Sequence, residues 1–371
     1  MKFTITKNLF FKTLSHLQSI VDKKNSLPIL SNILIEASEN KLTLSSTDMD
    51  ISIKETVNCK VLEDGSTTIN AQIIYDIIRK LSDSNEIEMI SNDGKLMNLR
   101  SGESRFSLAC LPKEDFPLID TKNSGSEINI DAQSFRKLID KTKFAISNEE
   151  TRYFLNGLYL NLSKEVENNL LTLVGTDGHR LAKFSSLNNN EFIDIPGVII
   201  PKKTILELSK LLVEVSGEIK INVDANKIVF FIDNLILISK LIDGNFPDYK
   251  KVIPQTNSNQ LIIDRIKLLS AVDRVSTIAN EKSPVIKFKL IENLLNMNAI
   301  NNENSTATEN IKAIYSGDQI EIGFNSKYIM DMLNNLEDEE VNLTFKDNSS
   351  PITVTEKSNP NLVYVLMPMR V

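Results

Sequence analysis

The chain has 371 residues, 41% of them hydrophobic, and its 49 acidic against 42 basic side chains leave a formal net charge of −7. That length suits two or three compact domains, and the longest apolar runs, such as IVFF and LILI, fall far short of the roughly 20 residues of a membrane span. Cys59 and Cys110 lie far apart with no CxxC, the two histidines are His16 and His179, and neither GxxxxGK[ST] nor GxGxxG occurs, so a soluble, cytoplasmic protein without disulfides, metal or other cofactors is expected.

The start, FTITKNLFFKTLSHL, reads as a short strand and then an amphipathic helix over 7–24. Residues 29–50, ILSNILIEASENKLTLSSTDMD, alternate as a pair of strands and close on Thr47-Asp48. NAQIIYDIIRKL carries apolar residues at three- and four-residue spacing, which predicts a one-sided helix; EIEMIS and FSLACLPKEDFPLID follow. At TKNSGSE (121–127) the composition becomes that of a linker, and then the pattern restarts. INIDAQSFRKLIDKT repeats the strand and helix, and FLNGLYLNLSKEVENNLLTLVGTDGH (154–179) matches 29–50 strand for strand. Leu155 falls opposite Leu30, Gly157 opposite Asn32, and Thr176-Asp177 opposite Thr47-Asp48. PKKTILELSKLL is the second helix, and LISKLIDGNFPDYKK sets Phe246-Pro247 against Phe116-Pro117. After PQTNSNQ (254–260) a third copy runs through LIIDRIKLLSAVDRV, PVIKFKLIENLLNMNAI and NSKYIMDMLNNL to the terminal YVLMPMRV. The second helices superpose with Ile74, Ile205 and Ile329 on the apolar face and Asp76, Glu207 and Asp331 on the polar one. The expected architecture is α+β, three tandem similar domains over 1–122, 127–253 and 258–371, each with two helices packed on antiparallel sheets.

Charge is unevenly spread along this pattern. Residues 7–24 and 132–144 each carry four basic side chains against one acidic, residues 202–213 carry three against one, and 71–82 and 264–282 are also net basic. Five of the six helical segments are therefore positive in a chain that is negative overall. A basic helical face without a base-reading module fits sequence-independent contact with a nucleic-acid backbone.

One stretch, GTDGHRLA (175–182), gathers a carboxylate, a histidine and an arginine, the materials of a catalytic group. The first repeat has Thr47-Asp48 followed by Met49 and no histidine. The Thr-Asp pair thus reads as a strand-end turn in which aspartate accepts backbone donors, and only Gly-His-Arg-Leu is special to the second copy. The alternative is a nucleic-acid processing hydrolase using Asp177 and His179.

Several stretches carry a family resemblance: MKFTI, LPILSNILIEA, SRFSLACLP, RYFLNGLYL, TDGHRLA, SKLIDGNFPDYKKVIP, GFNSKYIMDML and YVLMPMR. In this order, from first residue to last, they closely resemble the bacterial DNA polymerase III beta-subunit family, the sliding clamps. The resemblance implies the DNA clamp fold, a head-to-tail homodimer ring with helices lining a central hole for duplex DNA, and no catalytic activity. It implies as partners the DNA polymerase III alpha subunit, the clamp loader, and other polymerases and repair proteins, all docking by a short linear motif, and no membrane. The peptide pocket would comprise Leu155, Thr176, Gly178, His179, Arg180, Leu181, Pro247, Val252, Asn325, Tyr328, Val365, Met367, Pro368, Met369 and Arg370. DNA contacts would come from Lys24, Arg79, Lys137, Lys141, Tyr153, Phe154, Lys202 and Lys203, and the dimer interface from Arg105 and Leu108 against Thr277 and Ile278. The chain departs from common relatives at Ser283 on the pocket rim, at Lys251 in place of arginine, at Glu149 near the DNA contacts, and at the terminal Val371.

Overall fold

The computed structural model describes residues 1–21, 27–83, 86–117, 119–121, 125–164, 169–188, 195–280, 284–301, 303 and 305–370. Lys24, Ser283 and Val371, singled out above, lie outside them.

Among the described residues six α-helices alternate with antiparallel strands: α1 (Lys7–Gln18), α2 (Ala71–Lys80), α3 (Ala132–Thr142), α4 (Lys202–Leu211), α5 (Arg265–Ser276) and α6 (Ser326–Asn334). Their one-sided patterns do what the spacing predicts. Phe10, Thr13, Leu14 and Leu17 of α1, Ala71, Ile74 and Ile78 of α2, and Leu268, Ala271, Val272 and Val275 of α5 are buried. Polar residues at the strand-to-helix junctions start three of these helices: Asn70, Asp264 and Asn325 accept hydrogen bonds from the backbone N–H groups of Ile73, Lys267 and Lys327, satisfying donors that a first turn otherwise leaves open. Helix α1 is shorter than its expected span, because after Gln18 the chain turns with the Ser19 hydroxyl donating to the His16 carbonyl. Glu207, expected on the polar side of α4, is only 6% exposed.

The chain forms two compact units, Met1–Gln133 with Lys210–Leu241, and Ser134–Ser209 with Ile242–Val371. The first holds a thirteen-stranded sheet in which Leu235–Lys240, from the central repeat, pairs with Ile51–Asn58 of the first. The second holds a nine-stranded sheet in which Arg180–Asn188, again from the central repeat, pairs with Leu362–Leu366 of the third, and a separate four-stranded sheet. Each repeat thus hands its sheet on to the next by ladder hydrogen bonds, which is why the middle third of the chain is divided between the units.

Candidate functional site

The second unit carries the turn Thr176–Arg180. The Thr176 hydroxyl donates to the Arg180 carbonyl (2.6 Å) and accepts from the Gly178 N–H (3.1 Å), while Asp177 Oδ1 accepts from the N–H groups of His179 and Arg180 (2.9 and 3.0 Å). Gly178 has φ +87°, a left-handed conformation that glycine adopts without penalty. A Cβ there would also meet Arg152 Nη1 at 2.4 Å. The turn is held from outside by the Arg180 side chain, which is 10% exposed. Its Nε pairs with Asp177 Oδ2 at 3.1 Å, Nη1 pairs with Asp331 on α6, and Nη2 donates to the Phe144 carbonyl at 2.7 Å. The guanidinium plane also covers the rings of Tyr328 (4.4 Å) and Phe144 (5.2 Å). Few groups other than a planar five-donor fork satisfy so many partners at once.

Beside this turn lies a cavity of about 290 Å³, lined by Arg152, Phe154, Leu155, Thr176, Gly178, Arg180, Leu181, Pro247, Tyr249, Val252, Val365 and Met367. Its floor belongs to a buried cluster of Val174, Leu181, Tyr249 and Val365, against which Tyr159, Phe246 and Val252 pack. Tyr159 stacks on Phe246 with ring centroids 4.9 Å apart. Burial pushes the phenols of Tyr159, Tyr249 and Tyr328 above their ordinary pKa. On the rim, the Arg152 guanidinium lies 2.7 Å from Glu149 and holds that carboxyl below its ordinary range.

Nine of the residues expected in the pocket therefore line one cavity: Leu155, Thr176, Gly178, Arg180, Leu181, Pro247, Val252, Val365 and Met367. The others surround it or stand apart from the lining. His179 is exposed and stacks beside Tyr328 at 6.4 Å. Asn325 is committed to capping α6, Met369 bridges Gly323 through its backbone N–H, Pro368 is half-buried and Arg370 is exposed. Arg152 and Tyr249 were not expected in the lining, although each stands in a stretch that carried the resemblance, RYFLNGLYL and SKLIDGNFPDYKKVIP. The geometry also speaks against general-base chemistry at Asp177. One carboxylate oxygen takes two backbone donors and the other pairs with the Arg180 guanidinium, so the group is committed to holding the turn and is paired with a fixed cation. Among the described residues no cluster of three His, Cys, Asp or Glu is arranged to hold a metal, and no helix is long and apolar enough to cross a membrane.

Family models for the N-terminal, central and C-terminal domains of the DNA polymerase III beta subunit match residues 1–120, 129–248 and 250–370. The chain belongs to the DNA polymerase III beta-subunit family, the beta sliding clamps. It is 39% identical to the beta sliding clamp of Caulobacter vibrioides and 34% identical to that of Escherichia coli, over the full length of both partners in each case. Among solved structures it resembles the sliding clamp of Bartonella birtlesii bound to griselimycin (39% identity, TM-score 0.96) and the DNA polymerase III subunit beta of Pseudomonas aeruginosa (34%, TM-score 0.95), each covering all of both chains. The chain is thus a non-catalytic processivity factor built from three tandem domains with helices on antiparallel sheets.

The residues expected to face DNA are found in different surroundings. Arg79 is exposed and pairs with Asp76 at 2.9 Å; Lys202 donates to Asn148 Oδ1 at 2.6 Å; Lys203 is exposed. Tyr153 is 54% exposed and meets Phe154 edge-on, whereas Phe154 itself lines the cavity. Lys141 is withdrawn from the surface: it is 6% exposed, and its ammonium donates to the Asn335 carbonyl and pairs with Glu337. A charge buried and satisfied in this way has no free face for a phosphate. For the expected interface, Arg105 and Leu108 lie on the strand Ser104–Leu111, which pairs along its length with Leu96–Ser101 but meets its other neighbour only at Leu111 and Cys110. Thr277 and Ile278 follow the end of α5. Near them Arg274 pairs with Glu309 on Thr306–Lys312, the edge strand of the four-stranded sheet.

Proposed function

We propose that this clamp is a head-to-tail homodimer ring that encircles duplex DNA, and that its cavity docks a short linear peptide. The peptide would be carried by the DNA polymerase III alpha subunit, the clamp loader, and other polymerases and repair proteins. The observation that carries the docking reading is the cavity itself: an apolar hollow with a methionine in its wall, bounded by a turn whose polar groups are already paired with one another. Such a site takes apolar anchors of a partner and uses a few exposed polar groups at the rim to fix their direction. The ring reading is supported by two incompletely paired edges, Ser104–Leu111 and Thr306–Lys312, which suit pairing between copies. In this arrangement Arg105 and Leu108 of one copy meet the region of Thr277 and Ile278 of the other. Contacts from Arg79, Lys137, Tyr153, Phe154, Lys202 and Lys203, with Lys24, would touch the DNA backbone without reading sequence.

Two measurements test this. Sedimentation equilibrium at micromolar concentration is expected to give twice the mass of one chain, and a monomer contradicts the ring. Fluorescent peptides tiling the alpha subunit are expected to contain one short segment that binds and is competed by the unlabelled segment; loss of binding on filling the cavity assigns it there. No binding by any tile contradicts the docking reading.

A further inference from the structure

The segment 132–144, which holds helix α3, is as basic as any assigned to the DNA side, yet its charge is already answered. Arg136 lies 3.4 Å and Lys143 2.6 Å from Asp140. Lys137 and Lys141 converge on one carboxylate, Glu337, at 3.2 and 2.9 Å. This is not a chance meeting of two long surface side chains. Glu356, whose side chain is fully buried, accepts hydrogen bonds from the backbone N–H groups of Glu337 and Asp338 and fixes the loop. Asn359 completes the frame, its amide donating to Glu356 and its Oδ1 accepting from the Lys137 ammonium at 2.9 Å. Lys141, and after it Lys137, hold the Glu337 carboxyl below its ordinary range. The two lysines and two glutamates sum to zero, so this part of α3 presents no net positive charge. Glu337 and Lys137 nonetheless remain about half exposed (53% and 42%), where an incoming anion can reach them.

We propose that Glu337 is a built-in competitor for backbone phosphate, holding the Lys137 ammonium until a phosphate replaces it and so keeping the grip of this face on duplex DNA weak. This rests on the reading that Lys137 faces DNA. A clamp retained by topology gains nothing from tight contact, and a carboxylate that retakes the lysine as each phosphate leaves lowers the cost of moving along the duplex. Lys141 plays a different part, since its burial and its bond to Asn335 keep it in the frame that holds Glu337.

The test is fluorescence anisotropy of a labelled mixed-sequence duplex against the full chain over a salt series. Glu337→Gln is expected to bind about fivefold more tightly at low salt, with the gain fading as salt screens the pair. Lys137→Ala in that background is expected to abolish the gain, and Glu339→Gln, an equal change of net charge on the same loop, is expected to produce less of it. If Glu337→Gln binds no more tightly while Lys137→Ala weakens the parent chain, the competitor idea is overturned and the DNA contact stands. If Lys137→Ala changes nothing in either background, the contact itself fails and the proposal with it. A gain that survives Lys137→Ala, or that Glu339→Gln matches, is a bulk-charge effect and also overturns it. Should Glu337→Gln not fold, Glu337→Asp keeps the charge but shortens the reach to Lys137, and the same readouts apply with a smaller gain.

Discussion

The turns Thr47–Ile51 and Thr176–Arg180 occupy equivalent places in the first and central repeats and share one hydrogen-bond scaffold. In the first, the Thr47 hydroxyl donates to the Ile51 carbonyl and accepts from the Met49 N–H, and Asp48 Oδ1 accepts from Asp50 and Ile51. Both third residues are left-handed, Met49 at φ +80° and Gly178 at φ +87°. In both, the next repeat joins through one backbone bond, Lys240 N–H to the Asp50 carbonyl and Met367 N–H to the His179 carbonyl. The side chains then part company. The first turn presents an exposed methionine, an isoleucine where the central turn has Arg180, and an exposed ion pair between Asp50 and Lys240. The central turn presents no side chain at Gly178 and sends Arg180 outward to Asp331, Phe144 and Tyr328. A cavity borders the second. The backbone scaffold is therefore common to the two turns, and beside the cavity they differ by the side chain missing at Gly178 and the guanidinium at Arg180.

Five substitutions break or sharpen that contrast. The largest effect is expected from Gly178→Met, which writes the first repeat's residue into the second. Met49 shows that the turn's backbone accommodates methionine, and the Arg152 side-chain end that a Cβ would meet at 2.4 Å can swing aside, so the fold should hold while peptide affinity falls roughly 30-fold or more, the loss typical of a hot-spot position; peptide anisotropy reads it. Next, Arg180→Ala should lower stability by about 3 kcal/mol, because it strands Asp177 and the Phe144 carbonyl in a largely buried setting. Chemical denaturation followed by tryptophan-free probes such as circular dichroism measures it, and a neutral result would mean that the arginine is not the clamp of the turn. Thr47→Val and Thr176→Val each remove the two bonds a threonine hydroxyl makes within its turn and should each cost about 1–2 kcal/mol, with Thr47→Val the costlier because its hydroxyl also accepts from the Ser52 hydroxyl at 2.7 Å. A smaller cost at Thr47 would contradict that ordering. Smallest of all, Lys240→Ala deletes an ion pair whose partners are 63% and 77% exposed, and the unfolding midpoint should barely move.

Much of this was legible in the sequence, for reasons that are themselves physical. The Thr-Asp correspondence was visible because a side chain that both donates and accepts at a strand end is required wherever that turn recurs. The alternating strands and one-sided helices were visible because burial repeats every two residues in one and every 3.6 in the other. What escaped was set by residues distant in the chain. Lys141 sits one helical turn beyond Lys137 and looked equally solvated, but the loop around Glu337 and the buried Glu356 covers it. Arg152 joins the cavity wall from a short 3₁₀ segment, Glu150–Leu155, which carries no period to betray its facing. Glu207 is buried on a helix whose spacing alone placed it outside.

The measurement closest to the centre of the account is retention on DNA after loading. A labelled chain loaded by its clamp loader onto a nicked circular duplex should stay bound through gel filtration at a salt concentration that abolishes ordinary backbone contact, and should be released when a restriction enzyme linearises the circle. Equal loss from circular and linear DNA, or equal retention on both, would contradict a ring that holds DNA by enclosing it.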